Sequence, residues 1–493
     1  HETIEYSSFG AFRRFFISPS IDQLFAGGEA EQNNGGTACE RARLSYFGRV
    51  GYNFQEKYLA EFLWRYDGSY MFPEDSRWGF FPGVSAGWVV SEENFWKDNI
   101  SFMDYFKLRG SWGQMGNDNI TLGPGGPLLE YQFLSTYGFD SYIIGEQEVT
   151  TLFETRVPNN SVTWEVATNA NFGIEGQMFQ GKVFFEFDYF INNRSNILWP
   201  RFGSVPQTTG MILPPENIGE VRNAGYDFNI GYNGQVGDLS FNVSVNGGYA
   251  QNEIVFWDEA PGVPEWQQTT GRPMYTFFLY EYDGVFRDQA EIDANTIDYS
   301  ALTNNLRPGD MRYKDLYGPD GVPDGKITPD DRVRTDNTNI PLFQGGMNIG
   351  ARYRNFDLSI LLQGATGAMT WVDTESGSIG NYLAEQYENR WSIEEPSSVH
   401  PRITDRDNQW YSDGNTYWLR SADYLRLKNF ELGYTIPVSI TERAGINNLR
   451  IYANGLNLFT IDELDVYDPE TSNAQGRNYP QARIINVGAT VTF

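Results

Sequence analysis

Ala42-Arg43-Leu44-Ser45-Tyr46-Phe47-Gly48-Arg49-Val50-Gly51-Tyr52-Asn53-Phe54 is the stretch on which the architecture turns. Successive side chains of an extended strand point to opposite faces. Here the even positions carry Leu44, Tyr46, Val50, Tyr52 and Phe54, while the odd ones carry Arg43, Ser45, Arg49 and Asn53. After the turn Gln55-Glu56-Lys57 the pattern resumes, with Tyr58, Ala60, Phe62, Trp64 and Tyr66 on one side and Glu61, Leu63, Arg65 and Asp67 on the other. A helix would repeat its apolar residues every three to four positions, so this period of two reads as paired amphipathic strands.

The same alternation recurs down the chain. Val183, Phe185, Phe187 and Tyr189 alternate with Glu186 and Asp188, and Tyr226, Phe228, Ile230 and Tyr232 with Asp227, Asn229 and Asn233. Leu239, Phe241, Val243 and Val245 alternate with Ser240, Asn242, Ser244 and Asn246. Later strands carry Met347 to Tyr353, Phe356 to Leu362, Leu449 to Ala453 and, at the end, Ile485 to Phe493. The reading gives about fourteen strands, the first over Phe9 to Ile17, an assignment of the kind whose boundaries carry an error of about two to four residues.

Alternation alone also fits a soluble sandwich of two sheets. The connections decide between them. Gln55 to Lys57, Phe179 to Gly181 and Arg354-Asn355 are short, whereas Asp67 to Phe80, Asn192 to Arg222 and Ala365 to Asp423 are long, and the two kinds take turns along the chain. A transmembrane barrel has short turns on one rim and long loops on the other; a sandwich has no reason to sort its loops by end. The expected fold is therefore all-β, a transmembrane antiparallel β-barrel with short periplasmic turns, long extracellular loops and the carboxy terminus at the periplasmic side. In this register Arg49, Glu61, Arg65, Glu186 and Asp188 point into the lumen, as they must, since a basic side chain on the lipid face costs about 2–4 kcal/mol near the midplane. Ser91-Glu92-Glu93-Asn94-Phe95-Trp96 reads as a short helix on the short-turn rim, with Ser91 accepting from a backbone N–H at its start.

Composition agrees. Aromatic residues make up 16% of the 493 residues, with 51 glycines, yet the mean hydropathy is only −0.47, as expected when ring-bearing lipid-facing residues are diluted by polar lumen-facing ones. No run approaches the roughly 18 consecutive apolar residues of a membrane-spanning helix. The net charge of −28 argues against nucleic acid as a partner, because phosphate binding needs clustered Lys and Arg. Cys39 is the single cysteine and has no partner for a disulfide or a zinc cluster. The chain opens His1-Glu2-Thr3 without an initiator Met, and any export signal is expected to lie outside it.

Several segments resemble the SusC/RagA family of TonB-dependent outer-membrane transporters: Tyr46-Phe47-Gly48-Arg49-Val50 with Lys57-Tyr58-Leu59-Ala60, Arg65-Tyr66-Asp67-Gly68-Ser69, Gly79 to Trp88, Ser91-Glu92-Glu93, Lys107 to Gly113 and Tyr424-Leu425-Arg426-Leu427-Lys428-Asn429. The resemblance runs nearly end to end. It implies a barrel of about twenty-two strands, within the span of such barrels, an amino-terminal plug, energy supplied by TonB and a SusD-like surface lipoprotein as lid. Residues 1–493 are then the carboxy-terminal portion of such a barrel, with the plug and first strands elsewhere. Final Phe493 resembles the terminal insertion signal of such barrels.

The function so expected is active import of oligosaccharides or glycan fragments across the outer membrane, with oligopeptide import in the same family, or a passive porin-type channel, as alternatives. An enzyme is not expected. Gly83-Val84-Ser85-Ala86-Gly87 matches the G-x-S-x-G elbow, but it falls within a strand, and the only histidines, His1 and His400, are not placed near Ser85. No catalytic residue is assigned.

Two groups of candidate site residues remain. Trp257, Trp266, Trp371, Trp391, Trp410, Tyr411 and Trp418 lie in the long loops, where rings can stack on sugar faces, pack under a lid, or form the loops' own core. Asp320-Gly321-Val322-Pro323-Asp324-Gly325-Lys326-Ile327-Thr328-Pro329-Asp330-Asp331 reads as a calcium-like loop. Asp320, Asp324 and Asp331 would give carboxylates, Lys326 its carbonyl, and Asp315 a substitute oxygen for Val322, so the loop 320–331 could hold a structural Ca2+ or Mg2+. No other cofactor is expected.

Overall fold

A computed structural model describes residues 1–493 apart from 17–19, 22, 122–127, 202, 204–212, 373–382, 404–413, 472–478 and 480. One antiparallel sheet of fourteen strands dominates it. The strands are β1 (Glu2–Phe12), β2 (Asn33–Phe54), β3 (Tyr58–Ser69), β4 (Trp78–Val89), β5 (Met103–Asn117), β6 (Glu165–Met178) and β7 (Val183–Trp199), followed by β8 (Glu216–Val236), β9 (Leu239–Phe256), β10 (Phe343–Tyr353), β11 (Phe356–Thr366), β12 (Tyr424–Ile436), β13 (Asn448–Asp462) and β14 (Ile484–Thr492). Each pairs with the next, so chain order is sheet order. The sheet is not closed: β1 and β14 are its two edges.

The register confirms the two faces read from the sequence. On one face Tyr46 stands opposite Tyr66 and Tyr66 opposite Phe80. Further along, Phe187 faces Phe228, Ile230 faces Val245, Val245 faces Met347 and Met347 faces Leu362. These side chains are unusually exposed for their type, Val50 at 65% and Tyr52 at 62%, which requires a non-aqueous surrounding for that face. On the other face Arg49, Glu61, Arg65, Glu186 and Asp188 appear as expected, opposite Leu63, Ser85, Phe81, Asn229 and Asp227.

The rims sort as the sequence required. Residues 55–57, 90–102, 179–182, 237–238, 354–355 and 437–447 form one rim, and the described residues of 13–32, 70–77, 118–164, 200–215, 257–342, 367–423 and 463–483 the other. The tightest turns need left-handed backbone, supplied by Gly237 (φ 57°) and, without glycine, by Arg354 (φ 50°).

Three local readings are corrected. The first strand is Glu2–Phe12, ahead of Phe9 to Ile17, because its partner is the loop-side half of β2, Asn33 to Arg43, where neither strand shows clean alternation. Strands β7 and β8 run on to Trp199 and back from Glu216, so their connection is far shorter than Asn192 to Arg222. The short helix starts at Asn94, with Glu93 and not Ser91 at its cap, and neither side chain caps it. Ser91 belongs to a preceding 3-10 turn, and the Glu93 carboxylate is drawn away by Tyr58 Oη (2.5 Å) and Trp88 Nε1 (3.2 Å).

Candidate functional site

With both sheet faces open, the buried apolar clusters lie at the long-loop rim. Met71, Phe72, Phe81, Ile120, Val162, Trp164 and Leu198 form one, beneath the loops 70–77 and 118–164. The larger one fuses two loops far apart in sequence: Tyr280, Phe286, Tyr299, Leu302, Met311, Tyr313 and Ile327 from 257–342 enclose Trp418 from 367–423. Short strand pairs hold this module, Tyr282–Val285 with Met311–Tyr313 and Met369–Trp371 with Leu419–Ser421.

Buried polar groups staple the two loops together. Asp310, 3% exposed, accepts from Arg402 Nε at 2.7 Å, and burial pushes its pKa up against the pull of that guanidinium. Asn415, fully buried, donates to Tyr313 Oη at 3.2 Å. Tyr299 Oη accepts from Tyr313 N at 3.1 Å, and burial raises its phenol to about 12. His400 Nδ1 lies 2.8 Å from Tyr417 Oη, and burial lowers the imidazole pKa.

The expected aromatic residues separate by role. Trp418, 3% exposed, is a core residue, and Trp371 packs against the same core. Trp266 stacks on Tyr317 at 4.0 Å and donates from Nε1 to the Asp330 carbonyl at 2.9 Å. Trp391 donates from Nε1 to the Arg287 carbonyl at 2.8 Å. Trp257 lies 4.0 Å from Trp199, outside the module core. Trp410 and Tyr411 fall outside the described residues. Among the described members of this set, only Trp371 and Trp418 come together in one core.

The acidic loop is folded on its own backbone. Asp331, fully buried, accepts from Leu316 N (2.8 Å), Tyr317 N (3.1 Å) and Thr328 N (2.8 Å). Asp315 accepts from Asp324 N (3.2 Å) and Gly325 N (2.7 Å), and Asp324 from Lys326 N (3.0 Å). Asp320 sits exposed at the tip of the turn closed by Gly321 N on Gly318 O. Among the described residues no three Asp, Glu, His or Cys side chains converge as a metal-ligand set.

Ser85 of the elbow-like pattern lies in mid-strand between Glu61 and Ser111, with no turn at which a nucleophile would be presented. Around it the lumen face carries the ion pairs of Arg49 with Glu61 and of Arg109 with Glu186 and Asp188 (both 2.5 Å), and farther along the sheet that of Arg450 with Glu431 (2.6 Å) and Asp357. Sequence reasoning missed the strongest of these groups. Arg426, on the inward face of β12 and 1% exposed, binds both oxygens of Asp468 at 2.9 Å, Glu470 at 2.5 Å and Gln481 at 2.8 Å. It thereby pins Asp468, Glu470 and Gln481 of the connection between β13 and β14 into the mouth. A charge inside an alternating strand was the available signal, but its partners, some forty residues on, show no pattern.

Beside this brace the mouth contains a cavity of about 330 Å3. Gln344, Gln363 and Tyr424 line its strand side, Phe277 and Trp371 its loop-module side, and Glu470 the segment over it.

Comparison with known proteins agrees with this geometry. The model of the TonB dependent receptor-like β-barrel family matches residues 5–458. TonB-dependent receptor P3 of Formosa agariphila is 27% identical over 99% of this chain and 49% of its own length. TonB-dependent receptor SusC of Bacteroides thetaiotaomicron is 25% identical over 92% of this chain and 44% of its own. The chain spans about half the length of the curated relatives it matches. In fold it is similar to the RagAB peptide importer in the open-open state, with a TM-score of 0.73 at 20% identity over 100% of this chain and 52% of that one. An amphipathic sheet with sorted rims, matched along most of its length, assigns the chain to the TonB-dependent receptor β-barrel family of the outer membrane, where it is SusC/RagA-like.

Proposed function

We propose that this chain forms wall and mouth of an active outer-membrane importer of oligosaccharides, served by a SusD-like surface lipoprotein and energised by TonB through a plug. The observation that carries the reading is the two-faced sheet, rings outward and hydrogen-bonding side chains inward. Its inner face includes a row of amides, Asn169, Asn192, Asn223 and Asn252, that crosses four adjacent strands. Each amide both donates and accepts, which suits a ligand rich in hydroxyl groups.

Two further features support partners. The edges β1 and β14 carry unpaired backbone groups, which a bilayer core does not tolerate, so additional strands complete the ring. Between Thr136–Ile144 and Gln147–Arg156 the loop 118–164 also raises a separate hairpin, with Phe139 80% and Ile143 72% exposed. A lone two-stranded hairpin is marginal in water, and a lipoprotein seated on the long-loop rim would cover it.

Uptake of labelled oligosaccharides by cells bearing the intact transporter tests the proposal. Import that ceases when the proton gradient or the lipoprotein is removed is the expected result. Flux that persists without either establishes a passive channel, and uptake of peptides in place of sugars establishes the peptide alternative.

A further inference from the structure

We propose that the cavity beside Arg426 is a subsite for one or two uncharged sugar rings, built into the barrel mouth and selective against charged ligands. This inference rests on the oligosaccharide reading and refines it.

The cavity has the size of a small-ligand site, about 330 Å3. Its floor belongs to the sheet. Gln344 pairs with Ala365 and Gly248, and Gln363 with Arg426 and Gly346, which puts both amides on the lumen face. Gln344 can donate to and accept from the paired hydroxyls of a sugar, whereas the Nε2 of Gln363 already donates to Tyr424 Oη (3.2 Å) and Glu470 Oε1 (3.3 Å) and so fixes the floor beside it. Phe277 and Trp371, both half-buried, give ring surface on the opposite wall, and aromatic faces are suited to the apolar side of a pyranose.

Charge decides the ligand class. Glu470, which closes the cavity, is already engaged by Tyr424 Oη (2.9 Å), Gln481 Nε2 (2.6 Å), Arg426 Nη1 (2.5 Å) and Lys428 Nζ (3.4 Å). Arg426 is in turn shared with Asp468. Two cations therefore meet two carboxylates. A uronate or sulfate entering the site would meet no unmatched cation among the described lining residues and would lie against Glu470; an ammonium group would find that carboxylate taken. A ligand that brings hydroxyls without charge meets neither cost.

The test uses the transporter purified from outer membranes with any lipoprotein that accompanies it. Binding is measured calorimetrically for neutral gluco- and xylo-oligosaccharides, for oligogalacturonates of equal length and for a pool of hexapeptides. Gln344 is exposed on the lumen face, so Gln344→Ala leaves the fold intact. It should weaken the neutral sugars about three- to tenfold, the worth of one or two uncharged hydrogen bonds. Gln344→Trp, which fills the cavity, should weaken them more. Neutral sugars that bind equally well to all three proteins overturn the subsite and leave the import reading standing. Oligogalacturonates that bind as tightly as neutral sugars and weaken alike in both variants overturn the charge selectivity. Binding of hexapeptides alone removes the oligosaccharide reading and the subsite with it.

Discussion

Arg426 offers the sharpest test of how the mouth is held. Its side chain is 2% exposed, while those of Asp468 and Glu470 retain 21% and 24%. Removing one partner of a fully buried ion pair costs about 3–5 kcal/mol. Here the carboxylates keep some water and Lys428 stays 3.4 Å from Glu470, so Arg426→Met should cost roughly 2–3 kcal/mol. The loss is local, because Arg426 ties a loop to a wall that is held by its own ladder. Opening of the loop 463–483 should therefore rise roughly 30- to 150-fold, at a factor of ten for each 1.4 kcal/mol. Hydrogen exchange followed by mass spectrometry across residues 463–471 reads this directly, with strands β12 and β13 as internal reference. Fast exchange confined to the loop is the expected outcome. Unchanged exchange there, or acceleration spread evenly over the strands, refutes the brace.

The two faces of β8 and the loop module yield further predictions. Ile230→Arg sets a charge on the outward face between Phe185 and Val245 and should cost about 2–4 kcal/mol in denaturant titrations in liposomes. The neighbouring Asn229→Arg, on the inward face, should be close to neutral, and equal costs for the pair would contradict the assignment of faces. His400 has an imidazole pKa held below its ordinary value of 6.5 by burial. In the window below 6.5 the unfolded module binds more protons than the folded one, so the stability present above 6.5 is lost as the pH falls through the folded value. Exchange across Tyr282–Val285 should accelerate with acidification through that window, and His400→Gln should flatten that dependence; an unaltered profile in the variant would assign it to another group.

What was legible in the sequence was whatever a strand writes locally. Period-two alternation fixed the faces of β2, β3, β8 and β9, because each position's partner lies across one short turn. The ends of strands were harder. Between Asn192 and Trp199, and again from Glu216 to Arg222, the strands continue above the apolar band, where alternation has no lipid to enforce it. The mouth was least legible. Trp266, Trp391 and Trp418 read as ligand platforms or, with more weight for any single ring, as girdle or loop core, since an indole suits each, and the assembled module shows Trp418 sealed within it and Trp266 and Trp391 donating to loop carbonyls. The acidic run from Asp320 to Asp331 carries the composition of a cation loop, yet the same carboxylates also cap backbone N–H groups, and sequence spacing does not distinguish the two uses. Arg426 could be singled out as an inward charge, but its partners Asp468 and Glu470 lie on an irregular loop.

The joint core of the loops 257–342 and 367–423 has a bearing on biogenesis. Tyr280 and Met311 cannot enclose Trp418 until the β10–β11 hairpin between the two loops has taken its place. Closure of this core, which joins residues more than a hundred positions apart, is therefore expected to follow the pairing of that part of the wall. The wall is built first, and the vestibule ripens upon it.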